Sequence, residues 1–251
     1  MFEAVLDNAA LASSIYLNIA LAGATILLIG FLIRNVTDTR ARLIAMATLM
    51  ISVVSISSYM GLASGLTIDM LTMPEGHPLG GEEVMSLWGR YLTWTFSTPF
   101  ILLALGMLAG SSADKIFSAI VFDVFMCLTG LAAALTTESY LMRWLWFALS
   151  TAFFIGVLYY LLVQWPEDAK RQGTSDIFNK LKVLTVVMWI GYPVIWALGN
   201  EGLALLDVGT TSWGYSALDI VAKYIFTVIL VLYVAKEPKE VTTSPTAPAT
   251  V

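Results

Sequence analysis

Lys223 stands in the middle of a long apolar stretch, about 212–235, with Asp219 four residues before it. In a helix starting near Ser212 it lies about 16 Å along the axis, close to the midplane of a bilayer and too deep for its ammonium to reach water. The four-residue spacing puts Asp219 on the same helix face. Two chemistries are open: a buried Lys–Asp ion pair, or a desolvated amine ready to condense with a carbonyl group as a Schiff base. A second cation, Arg90, begins another apolar stretch and is followed by Thr93, Ser97 and Ala104. Spacings of three and seven place Arg90, Thr93 and Ser97 on one face, a stripe of charge and hydroxyls running toward mid-span. Hydroxyls also join helices to one another, so Thr93 and Ser97 carry meaning only beside Arg90. An ionisable group inside a membrane span is costly, which marks Arg90 and Lys223 as functional candidates.

Aromatic residues form a third pattern. Trp189, Tyr192 and Trp196 recur at intervals of three and four around Pro193, and Trp94 lies between Arg90 and Ser97. Core packing or an interfacial belt accounts for many such stripes. Opposite a mid-span lysine, the stripe also suits a flat apolar ligand held between indoles.

The elements that hold these residues follow from composition. The 251 residues are 58% hydrophobic and 12% charged, with a mean hydropathy of +0.81, values foreign to a domain with a polar shell. Seven apolar stretches are each long enough to cross a bilayer: about 10–33, 42–67, 86–109, 115–135, 140–163, 177–199 and 212–235. They do not alternate in polarity, so the expected fold is an all-α membrane protein, a seven-transmembrane-helix bundle over residues 1–236. Residues 237–251, rich in Pro and Thr, are expected to form a disordered cytoplasmic tail. Cys127, the one cysteine, cannot form an intrachain disulfide and is expected to pack as a small apolar residue.

Ten of the thirteen Lys and Arg, namely Arg34, Arg40, Arg42, Lys115, Lys170, Arg171, Lys180, Lys182, Lys236 and Lys239, fall on one side of the spans. That side is taken as cytoplasmic, which puts the N-terminus outside. The opposite side has Arg143 at a helix end and the acids Glu75, Glu82, Glu83, Glu138, Glu201 and Asp207. The net charge of −5 reflects these acids and gives no reason to expect a nucleic-acid partner. The first residues lack the positive start of a signal peptide, so the first span is expected to be retained. His77, alone in a Gly/Pro loop, is expected to be solvated or hydrogen-bonded rather than a relay or metal ligand.

Arg-Tyr-x-x-Trp and Thr-Pro in the third span, Trp-x-x-Tyr-Pro-x-x-Trp in the sixth and Leu-Asp-x-x-x-Lys in the seventh resemble the microbial rhodopsins over all seven spans. The resemblance implies all-trans retinal in the centre of the bundle, bound as a protonated Schiff base to Lys223. Its implied pocket comprises Trp94, Thr98, Met126, Gly130, Phe147, Ser150, Trp189, Tyr192 and Trp196, with Asp219 beside the linkage. Phe147 stands where many members have Trp. Asp123 with Thr98 resembles the family's buried hydrogen bond between the fourth and third spans. The resemblance also implies a homo-oligomer, a trimer, in the plasma membrane.

Proton pumps of that family carry acids where this chain has Thr93 and Ala104. Thr93, Ser97 and Ala104 instead resemble the Thr-Ser-Ala triplet of the halorhodopsins, the archaeal chloride pumps, as do Met73-Pro-Glu-Gly-His77, Lys182 and Thr185. Charge counting agrees. A protonated Schiff base and Arg90 are two positive charges, Asp219 is one negative, and opposite charges at about 4 Å attract by a few kcal/mol even at an effective dielectric near 20. A chloride or other halide is therefore expected among Arg90, Thr93, Trp94, Ser97, Asp219 and Lys223, held by hydroxyls and guanidinium. The expected exit is past Thr185 and Lys182, with the sixth span hinged near Pro193. Glu201 reads as an exposed acid that could shape access. The expected function is thus a light-driven inward chloride pump, a transporter rather than an enzyme. The alternatives are a sensory (phototaxis) rhodopsin signalling through a transducer, an outward proton pump, or a seven-helix receptor without retinal.

Overall fold

The computed structural model describes residues 2–238, so the expected tail, apart from Glu237 and Pro238, and Lys239 with it, lies outside the described residues. A short helix, α1 (Phe2–Asp7), precedes α2 (Ala9–Ile33) and α3 (Thr39–Ala63). A hairpin of β1 (Asp69–Thr72) and β2 (Glu83–Ser86) leads to α4 (Gly89–Leu108) and α5 (Ala113–Leu135). Then come α6 (Tyr140–Tyr159), continued through a π-turn at Tyr160–Gln164 into α7 (Trp165–Gln172), and α8 (Ser175–Leu198). The last span is α9 (Val208–Asp219), a π-turn at Ile220–Ile225, and α10 (Phe226–Lys236).

Seven of these helical units are long and apolar enough to cross a membrane, α6–α7 and α9–α10 each counting as one. Helix starts follow from capping side chains: Asn8, Asp38, Ser139 and Asp207 each accept from a backbone N–H of the first turn. The second span ends at Ala63, earlier than the expected 67, because Gly65 takes a left-handed φ of 74° and stops the helix. The fifth runs on to Gln172, past the expected 163, and ends at Gly173 with φ 83°. Residues facing outward along the spans are apolar, among them Leu27, Phe31, Phe117 and Leu141, while Ser, Thr and charged residues lie inside. This inversion is what a hydrocarbon solvent requires.

The hairpin was not anticipated. Asp69 pairs with Ser86 and Thr72 with Glu83 in antiparallel register. Strands of four residues have too short an alternation to stand out from the spans on either side. Neighbouring spans pack in order, and α9 closes the ring against α2. A methyl group added at Gly156 would lie 2.7 Å from the Phe122 ring, so α5 and α6 approach closely there only because the residue is Gly.

Candidate functional site

Lys223 lies inside the π-turn of the seventh span, a local widening that recurs at functional sites in helices. Its Nζ is 3.0 Å from Asp219 Oδ2, and both side chains are 1% exposed. The Asp219 carboxylate is held from two other spans. Tyr59 Oη donates to Oδ2 at 2.7 Å and Tyr192 Oη donates to Oδ1 at 2.6 Å. Arg90 reaches Asp219 only through Tyr59, to which its Nη1 donates at 3.2 Å. Its Nη2 donates to Ser212 Oγ at 2.5 Å and to the Ser212 carbonyl at 3.2 Å. Ser212 Oγ in turn shares a 2.7 Å hydrogen bond with Ser14 Oγ. One polar chain thus joins the first, second, third and seventh spans, with a branch to the sixth.

Thr93, Ser97 and Arg90 are all buried, as the stripe on the third span requires. Thr93 Oγ1 donates at 3.1 Å to the Gly89 carbonyl of its own helix. Ser97 Oγ, Arg90 Nε and Lys223 Nζ are buried without a well-directed hydrogen bond among the described residues. A buried donor left unmatched costs about 1–3 kcal/mol. Three such donors, two of them on positive groups, match the needs of one small anion.

Beside this cluster is a cavity with about 670 Å³ of space between protein atoms, counted out to its mouth. Trp94, Thr98, Met126, Gly130, Phe147, Ser150, Trp189, Tyr192 and Trp196 all line it. Cys127 also lies on its wall, as do Tyr91, Thr151, Phe154, Pro193 and Tyr215, which the sequence did not single out for this role. Phe147 and Trp196 stack at 4.4 Å between centroids, and Trp94 meets Tyr192 edge-on at 5.1 Å. Gly130 leaves the wall open where a Cβ would come within 3.4 Å of Ser150 Oγ. The size and apolar aromatic lining fit a retinal-sized polyene. Thr98 Oγ1 donates to Asp123 Oδ2 at 2.7 Å, the expected link between the third and fourth spans.

The profile of the bacteriorhodopsin-like protein family matches residues 9–237. The chain belongs to the bacteriorhodopsin-like family. Halorhodopsin of Natronomonas pharaonis is 61% identical over 97% of this chain and 87% of its own length. A solved structure described as halorhodopsin, a light-driven chloride pump, superposes with a TM-score of 0.93 at 54% identity, covering 94% of this chain and 99% of that one. The bromide-bound form of halorhodopsin from Halobacterium salinarum gives the same TM-score and identity over 96% and 100% of the two chains. Within the bacteriorhodopsin-like family, the chain sits with the halorhodopsins.

One region of this family member differs from expectation. Glu201, expected to be exposed, is buried at 8% relative exposure. The segment after α8 folds back, with Leu203 N donating to the Ala197 carbonyl at 2.8 Å, and tucks the side chain inward. Tyr91 Oη donates to Glu201 Oε2 at 2.8 Å. Burial pushes the Glu201 carboxyl above its usual range, against the opposing pull of the Tyr91 hydrogen bond and Arg143. Arg143, at a helix end as expected, is fully buried. Its Nε and Nη2 donate to the Glu201 carbonyl, and its Nη1 to those of Ala134 and Thr136, which satisfies the cation with loop carbonyls. His77 is hydrogen-bonded in its loop, as expected: Nδ1 accepts from Leu79 N at 3.0 Å. Burial and Arg143 lower its basicity.

On the expected exit side, Thr185 is fully buried and its hydroxyl has no partner among the described residues. Lys182 is separate from it, exposed and donating to Asn179 Oδ1 at 2.9 Å on its own helix. Tyr59, Ser14 and Ser212 were not picked out from the sequence. Nothing in their local pattern distinguishes them from residues that glue helices together.

Proposed function

We propose that this chain is a light-driven inward pump for chloride and related halides, with all-trans retinal bound as a protonated Schiff base to Lys223. The observation that carries the reading is the charge count around Asp219. Lys223 and Arg90 are buried on either side of it, and among the described residues no other carboxylate pairs with either cation. The family's chloride-pump relatives support the same reading, and nothing favours a sensory rhodopsin working through a transducer.

When bound, the retinal supplies a photoisomerisable chain whose imine at Lys223 carries the positive charge. Trp94, Thr98, Met126, Gly130, Phe147, Ser150, Trp189, Tyr192 and Trp196 would hold it and exclude water. Arg90, Thr93, Trp94, Ser97, Asp219 and Lys223 would hold the anion in the dark, Arg90 and Ser97 through their free donors. Tyr59 and Tyr192 fix Asp219 so that it balances one charge and leaves the second for the anion. The anion would leave past Thr185 and then Lys182 as the sixth span bends near Pro193. It is a transporter in the plasma membrane, N-terminus outside and C-terminus in the cytoplasm, and assembles as a homotrimer.

The test is light-induced pH change in a cell suspension containing a protonophore. Inward chloride transport draws protons in, so the medium should turn alkaline in chloride and show no change in sulfate. Acidification abolished by the protonophore would instead mean an outward proton pump. Absence of any visible absorption band would return the chain to the receptor without retinal.

A further inference from the structure

On the outer side of Arg90 there is a second, smaller cavity, walled by Arg90, Tyr91, Trp94, Glu201, Thr211 and Tyr215. Three of these residues present buried polar atoms without partners among the described residues: Trp94 Nε1, Thr211 Oγ1 and Tyr215 Oη. All three can donate and only the two hydroxyls can also accept, and the Arg90 guanidinium adds its positive charge to the wall. Such a wall favours an anion over a cation or a neutral acceptor-poor molecule. One feature of the wall opposes this, since the Glu201 carboxylate faces the same space.

We propose that this outer cavity is a second halide site, filled when Glu201 is protonated, so that each halide taken in there is accompanied by one proton from the outer solution. The proposal deepens the pump reading, on which it rests for the class of anion. Ionised, Glu201 repels a halide across the cavity. Protonated, it keeps its place, because Tyr91 Oη still donates to it, and it turns a repelling charge into a further donor.

The charged and titratable groups around Glu201 come from several elements. Arg90 and Tyr91 face it from α4, Arg143 from α6 and Tyr215 from α9, while Tyr140 of α6 and His77 of the hairpin loop meet the neighbouring Gly202 backbone. His77, its basicity lowered, is neutral near pH 7. Glu201 is the carboxyl that faces this cavity, and burial holds it above the usual range.

The sign follows. Below the Glu201 pKa the site is fully protonated and its halide affinity does not vary with pH. Above it the affinity should fall about tenfold per pH unit, and by linkage a bound halide should draw a proton onto Glu201.

The experiment is anomalous diffraction from crystals of the retinal-bound protein in bromide, at the most acidic pH that keeps the visible band and at alkaline pH. The expected result is bromide between Arg90, Thr211 and Tyr215 at acidic pH and its loss at alkaline pH. Glu201→Gln, which preserves shape and removes the charge, should hold bromide there at both pH values. A dark bromide addition to unbuffered protein should raise the external pH in the native chain and leave it unchanged in Glu201→Gln.

An outer cavity without bromide at acidic pH, in crystals where the site near Ser97 is filled, would overturn the proposal alone. Outer bromide indifferent to pH would overturn the proton linkage. Outer bromide with nothing near Ser97 would leave this site standing and remove the inner site of the pump reading.

Discussion

The outer and inner halves of the bundle are built from different materials. From Lys223 outward, buried polar groups touch one another in chains: Asp219 with Tyr59 and Tyr192, Tyr59 with Arg90, Arg90 with Ser212, and Glu201 with Tyr91. From Lys223 inward, the spans meet in a continuous apolar core that includes Ile51, Ile101, Leu105, Phe178, Leu181, Phe226 and Leu230. The hydroxyls of Ser52, Thr185 and Thr227 lie among them without partners among the described residues. A charged ligand can be held in the first half with little rearrangement. In the second it meets a low dielectric and almost no donors, a barrier that desolvation alone makes high. On the proposed pump reading, this state opens toward the outer side and the inner half must move for an ion to leave. Conformational change is expected where polar groups are unmatched and apolar packing must part, around Thr185, and not around the tied cluster at Asp219.

The largest expected effect lies at the boundary between the halves. Lys223→Ala removes the only lysine at this depth, so the visible absorption band should vanish completely while the bundle still inserts. A normal band in that variant would sink the attachment at Lys223. Next is the outer half. Arg90→Gln leaves Tyr59 and Ser212 without their charged donor and the anion without its guanidinium. Losing one partner of a buried charged contact costs about 2–5 kcal/mol, so chloride affinity should fall at least about thirtyfold. Chloride titration of the absorption band reads this directly. Thr93→Asp should also weaken chloride binding, because it places a fixed negative charge where the anion is expected. Unchanged affinity in either variant would mean that the outer network holds no halide.

An effect of the opposite kind is expected from the inner half. Thr185→Val keeps the volume and removes a hydroxyl that nothing in this state uses. Dark chloride affinity should stay the same, and turnover should slow by about fivefold, as expected from about 1 kcal/mol of lost stabilisation during passage. Flash-induced absorption changes at several chloride concentrations separate the two. A fall in dark affinity with unchanged turnover would reverse the assignment of the halves.

The same division explains what could be read from the sequence. Spans, the Lys223–Asp219 face, the Arg90 stripe and the Trp189–Tyr192–Trp196 stripe are patterns within one helix, and helical periodicity exposes them. Tyr59 and Ser212 act across the bundle, 160 and 122 residues from the groups they bind. A single Tyr or Ser carries no mark of such a partner. Glu201 looked exposed because loop acids usually are, and only the fold-back after α8 puts it inside. The π-turns around Tyr160 and Lys223 contain neither Gly nor Pro, so nothing in their composition marks a departure from the helix.

The smallest expected effect tests whether the charges at the inner rim belong to the path or only to the frame. Asp168, with 4% of its side chain exposed, pairs with Lys115 at 2.9 Å and with Arg171, and accepts from Ser111 Oγ at 2.6 Å. Nearby, Arg40 Nη2 donates to the Met107 carbonyl and Thr174 Oγ1 to that of Leu108. These contacts tie the end of the fifth span and the start of the second to the end of the third and the turn after it, and none reaches Thr185. If the rim is frame, Asp168→Asn should leave halide affinity unchanged and turnover within about twofold, since no donor along the path is altered. It should cost about 1.5–3 kcal/mol of stability, the worth of a hydrogen bond to a charged group, offset in part because Lys115 is 27% exposed and can turn to water. Faster thermal bleaching in the dark, with normal chloride titration and normal flash kinetics, is the expected pattern. Slowed halide release with undiminished thermal stability would instead place Asp168 on the way out and extend the polar path across the inner half.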